Sequence, residues 1–134
     1  MRCQFAVLIV LLTLAASSSA APCFRYGVPV TLSGAVVLKT FFGPPNYGEN
    51  PESDARETQG LLELATPVCV DKSSNVEDER EVNQQLVTLV PMNDMNLKHY
   101  AGLNVTIRGS LFHAITGHHH TVLLLEMTSI AEKR

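Results

Sequence analysis

The chain has 134 residues, with 10 Lys and Arg against 13 Asp and Glu and a formal net charge of −3 with histidine neutral. That length suits one small domain with one core. The acidic balance offers no clustered Lys/Arg surface of the kind that binds polyphosphate, so nucleic acid is not an expected partner.

The first residues, MRCQFAVLIVLLTLAASSSA, place one arginine before an unbroken apolar stretch from Phe5 to Leu12 and end in small side chains. This is the layout of a secretory signal peptide. The apolar stretch falls short of the roughly 20 residues that a membrane span needs, so no transmembrane segment is expected in the mature chain. Ser18 and Ala20 put the expected cut after Ala20, and the expected location is secreted or periplasmic. Cys3 leaves with residues 1–20, while Cys23 and Cys69 remain in a compartment that permits disulfides. A Cys23–Cys69 bridge is the expectation, worth about 4 kcal/mol in the loop-entropy model. Two separate thiols are the plainer alternative.

Residues 21–29 read as a tethered leader. "VTLSGAVVLKTFFG" alternates as a long strand, with Val30, Leu32, Gly34, Val36 and Leu38 on one side. Gly34 marks a bend or bulge through which one strand can serve two sides of a barrel. "FFGPPNYGENPESDARETQG" cannot be continuous sheet, because Pro44, Pro45 and Pro51 lack the ladder donor; it reads as a long loop, ordered by its tyrosine, glycines and prolines, with a disordered loop as the alternative. "LLELATPVCV" resumes a strand with an edge or bulge at Pro67. "VNQQLVTLVP" is the next strand.

In "MNDMNLKHYAGL", Met92, Met95 and Tyr100 have helical spacing. Asn93 or Asp94 is the expected cap, and Gly102 the stop. "NVTIRGSLFHA" and "HTVLLLEMTSI" form the last pair, joined by "ITGHHH", where Gly117 is the expected positive-φ residue. The fold class is therefore mainly β: a small five-stranded OB-like barrel over residues 30–131, with one short helix between strands three and four. Residues 132–134 are a solvated tail, and a non-barrel α+β sandwich is the runner-up.

"FFGPPNYGENPESDARE", "LATPVCV" and "LFHAITGHHHT" together resemble a bacterial exported family, domain of unknown function 4431, over nearly all of residues 30–130. The resemblance implies export and a small β-barrel. It brings no reaction and no catalytic residue.

If "HHH" is extended, His118 and His120 point one way and His119 the other. With His113 from the opposing strand, His118 and His120 are the candidate ligands for zinc or copper, and no other cofactor is expected. The spacing lacks the separation that makes a histidine metal motif specific. A clamp is more economical, with Glu49, Asp54 or Glu57 pairing with an imidazole and favouring its charged form.

Tyr47, Glu49, Asp54, Glu57, His118 and His119 are the candidate ligand-binding residues. Ser53 and Ser110 have no nucleophile-elbow context and no scaffold sets two carboxylates at a bond, so no catalytic residue is assigned and an enzyme is the less favoured reading. The favoured reading is an exported binding or accessory module of the bacterial envelope. Its recognition surface combines the Pro/Gly-rich loop and the GHHHT hairpin, and its partner is an envelope protein or small ligand. The alternative is a histidine-dependent metal-binding or metal-dependent hydrolytic site.

Overall fold

A computed structural model describes residues 21–134, so the signal-peptide expectation at residues 1–20 lies outside the described residues. Strands form where β-branched and large apolar residues alternate with polar ones. They are β1 (Phe24–Arg25), β2 (Pro29–Phe42), β3 (Arg56–Asp71), β4 (Glu81–Pro91), β5 (Asn104–His113) and β6 (Leu123–Glu132).

Antiparallel pairs join β2 to β3, β3 to β4, β2 to β5 and β5 to β6, while β4 runs parallel to β6. These pairings close β2–β6 into the expected five-stranded OB-like barrel. β1 adds a short parallel strand to β3. The leader is thereby fastened twice, because Cys23 and Cys69 form a disulfide.

Closure depends on how β2 divides its pairing. Pro29–Ala35 pair with β5, and Gly34–Phe42 pair with β3. At Gly34, where the two runs overlap, a Cβ would collide with the carbonyl oxygen of Glu63. The register runs unbroken through this glycine, so it is a point of close approach rather than a bulge. Pro67 lies inside the register shift between Glu63 and Val68, as a residue without a ladder donor should. The inward side chains, among them Leu32, Val36, Leu62, Val87, Ile107 and Leu125, form the main core.

The element between β4 and β5 is a single 3-10 turn, Leu97–Tyr100, instead of the expected helix. Its cap is Asn96, whose side chain accepts from the amide of Lys98, rather than Asn93 or Asp94. The reason is the demand of β2. Gly102 donates its amide to Val36 O at 2.7 Å, and the Val36 amide donates to Leu103 O at 3.0 Å. The chain must therefore be extended again directly after Tyr100. Met95, Leu97 and Tyr100 pack against the core, whereas Met92, expected to do the same, is exposed.

Candidate functional site

The loop after β2, residues 43–55, is organised around one carboxylate. Asp54, only 7% exposed, accepts the amides of Asn46 (2.9 Å), Gly48 (2.7 Å) and Asn50 (3.2 Å) and the side-chain amide of Asn46 (3.2 Å). Burial alone would raise its pKa, but the amides of Gly48, Asn46 and Asn50 together hold it below the ordinary carboxylate range. Asp54 is thus spent on shaping its own loop. That shape puts Tyr47 at φ 51°, a left-handed conformation uncommon for an aromatic residue, and leaves the residue 42% exposed.

The segment between β5 and β6, residues 114–122, folds back as a strap over the barrel's outside. Leu61, Thr88 and Leu124 alternate with inward Leu62, Val87, Leu89, Leu123 and Leu125, so they face outward. All three are nonetheless buried. Thr121 fastens one end of the strap beside them. Its hydroxyl accepts the Thr88 amide at 3.0 Å, lies 2.8 Å from the Thr88 hydroxyl and donates to Leu123 O at 2.6 Å. Gln59 donates its side-chain amide to His118 O at 2.7 Å and secures the middle.

The two segments meet at Glu57 on β3. One oxygen accepts from Nδ1 of His118 at 2.5 Å, and the other from Nε2 of His120 at 3.1 Å. Hydrogen bonding from His120 comes first in keeping Glu57 below the usual carboxylate range. His118 adds a hydrogen bond and charge, against an opposing effect of burial. The His120 ring stacks on Phe41, centroids 4.2 Å apart and planes 4° from parallel. His118 meets Tyr47 edge to face at 5.7 Å, with the phenol oxygen 3.5 Å from Nε2. Because Glu57 can only accept, Nδ1 of His118 carries a proton. In the neutral ring, Nε2 is then a lone-pair acceptor beside the exposed phenol.

The adjacent histidines separate by environment. His119 turns from Glu57 toward Phe112, 5.8 Å away edge to face, and its Nδ1 accepts the Ile115 amide at 3.0 Å. Burial, followed by the charges of His118 and His120, lowers its pKa. His113 does not join the other rings. Its Nε2 is 3.0 Å from Glu81 and its Nδ1 is 3.0 Å from Ala114 O. Burial opposes its protonation, but the hydrogen bond to Glu81, the Ala114 carbonyl and the charges of Glu81 and Asp78 raise its pKa overall. Nearby Tyr26 is pushed up to about 12 by burial and by Glu81, Asp78 and Glu79.

Tyr47, Glu57 and His118 therefore come together, while Asp54 is bound within its own loop and His119 turns toward Phe112. Glu49 is exposed on the loop. Among the described residues, no three or more His, Cys, Asp or Glu side chains are arranged to hold a metal ion. Phe41 on β2 and Gln59 on β3 complete the meeting point, and Gln59 falls in a stretch expected to be loop. The signal at Gln59 is the alternation of Glu57, Gln59 and Leu61 on one face of β3. Gly117 also differs from expectation, since it is not among the positive-φ glycines. Its role is steric, because a Cβ there would come within 2.8 Å of the Tyr47 ring.

Fold and site together define an OB-like barrel in which the loop joining the first two barrel strands meets the loop joining the last two. Residues 85–131 match the family model described as Domain of unknown function (DUF4431), consistent with assignment to that family. The match takes in most of β4, all of β5 and the strap, but not the Pro-rich loop, over which the resemblance was expected to extend. No curated protein and no solved structure matches the chain. Among the described residues, no helix is long and apolar enough to cross a membrane.

Proposed function

We propose that this protein is an exported accessory or binding module of the bacterial envelope, with a recognition surface formed by the Pro/Gly-rich loop and the GHHHT strap. The observation that carries this reading is the double engagement of Glu57 by His118 and His120, beside Tyr47. It supports a surface built from both loops, because His118 of the strap is held by Glu57 and meets Tyr47 of the Pro/Gly-rich loop edge to face. Export is supported by the charged, apolar and small-residue succession in residues 1–20.

The test replaces Tyr47, His118 and His119 together, then compares partner capture from an envelope extract by the purified variant and the parent protein. Capture of the same partner is expected to be lost while the barrel stays folded. Undiminished capture would reject the two-loop surface.

A further inference from the structure

We infer that the surface made by Tyr47, Glu57 and His118 takes a neutral carbohydrate, with a sugar ring against the exposed phenol ring and sugar hydroxyls donating to the Glu57 carboxylate and to Nε2 of His118. This inference rests on the binding-module reading and names the ligand of that surface.

Three features select the ligand class. The first is position. In OB-type barrels, the loops joining strands one to two and four to five serve oligonucleotide and oligosaccharide binding. Here those loops are residues 43–55 and 114–122, and they touch through Tyr47 and His118.

The second is charge. An oligonucleotide requires a basic groove with stacking rings. The centre here is the carboxylate of Glu57, and the loop adds exposed Glu49 and Glu52. The nearby cations are already placed over rings, Lys39 5.6 Å from the Phe41 centroid and Arg56 3.8 Å from the Phe42 centroid.

The third is hydrogen-bond polarity. Each Glu57 oxygen holds one imidazole N–H and keeps further acceptor capacity, and Nε2 of His118 is an acceptor in the neutral ring. A ligand rich in hydroxyl donors complements that set, and an anion does not. The Tyr47 ring supplies the apolar part. The residue is 42% exposed, and its ring is braced against Gly117 and held edge-on by His118. A braced, half-exposed ring loses little freedom when a second flat surface covers it.

Nitrogen-15 NMR titration of the disulfide-bonded protein tests this. The probes are glucose, galactose, mannose and N-acetylglucosamine oligosaccharides, with putrescine as an amine and a short oligothymidylate as an anion. At least one neutral oligosaccharide is expected to produce saturable shifts confined to residues 43–59 and 114–122. Tyr47→Ala should weaken binding about tenfold or more, while Tyr47→Phe stays within about threefold.

No shifts with any sugar at concentrations on the order of tens of millimolar would overturn the inference. So would binding indifferent to Tyr47→Ala, or a response to the amine or oligonucleotide alone. If sugars fail while the triple variant still loses its envelope partner, the carbohydrate falls and the module stands. If both measurements fail, both readings fall.

Discussion

Gly117 lies directly against the ring of Tyr47, so closely that an alanine methyl there would sit 2.8 Å from Cζ. A residue of the strap thus sets where a residue of the Pro-rich loop can rest. Tyr47 is exposed and lies outside the barrel core, so Gly117→Ala should change global stability by less than about 0.5 kcal/mol, as surface changes generally do. It should nonetheless displace Tyr47 from His118. Loss of the ring-current shift on His118 protons, with an unchanged melting temperature, is the expected pair of results.

Glu57→Gln removes the one acceptor that serves both imidazoles. The centre of the strap should then lose hydrogen-exchange protection at every pH, while the barrel strands keep theirs. In the parent protein the same protection should depend on acid. The folded-state pKa of Glu57 is depressed, so its contribution is fully present above the ordinary glutamate value near 4.3 and lost as pH falls through the lower folded value. Exchange rates at the His118 and His119 amides measured from pH 6 downward check this. Rates in Glu57→Gln equal to those of the parent near neutrality would refute the clamp.

Much of this arrangement was legible from residue order, and what was not has physical causes. Alternation in Val105, Ile107 and Gly109 against Thr106, Arg108 and Ser110 matches the inward and outward faces of β5. The barrel follows from five such segments in this order. The start of β3 was missed because Arg56–Gly60 are polar on both faces. Their partners are Phe42–Leu38 within the sheet and the strap outside it, and no local pattern announces a strand covered by a distant loop. The helix over "MNDMNLKHYAGL" has a valid apolar spacing, yet two hydrogen bonds shared with Val36, one donated and one accepted, overrule it. That a histidine would meet the acidic loop could be anticipated. The selection of Glu57 over Glu49 and Asp54 could not, because it depends on register.

The strap should be essential to stability as well as to recognition. Leu61 and Leu124 face out of the barrel and are 1% exposed, beneath a segment fastened by Thr121 to Thr88 and by Gln59 to His118. Leu124→Ala should therefore cost about 2–5 kcal/mol, as for a buried leucine in a main core. An outward leucine open to solvent would cost a small fraction of that. Urea unfolding of the variant distinguishes the two. Thr121→Val, which keeps the shape but removes the hydroxyl, should cost about 1–3 kcal/mol by leaving the Thr88 amide without its partner.

The disulfide should matter through the chain it closes. Cys23 and Cys69 are 46 residues apart, and the loop between them includes β2 and the whole Pro-rich excursion. Replacing both with serine should lower stability by about 2–4 kcal/mol, chiefly by freeing the unfolded chain. β1, only two residues long, should lose its pairing with Val70 and Asp71. Exchange at the Phe24 and Arg25 amides reports that loss separately from the global change.

His113, just before the strap, and His119, within it, have opposite protonation requirements. Both nitrogens of His113 face groups that only accept, the Glu81 carboxylate and the Ala114 carbonyl, so both bonds form only in the imidazolium. Its raised pKa means that its stabilisation is fully present below the unfolded value near 6.5 and lost as pH rises through the folded value. His119 accepts the Ile115 amide at Nδ1, which only an unprotonated nitrogen can do. Its lowered pKa gives the reverse: full stabilisation above about 6.5, lost as pH falls through the depressed folded value.

The stability advantage of the parent over His113→Gln, about 1 kcal/mol for a hydrogen-bonded pair of this burial, should thus shrink between pH 6 and 8. Its advantage over His119→Gln should instead grow as pH rises toward about 6.5 from below and level off above it. Chemical denaturation of both variants at closely spaced pH values measures the two slopes. Slopes of the same sign would mean that the two rings do not hold the strap in these protonation states.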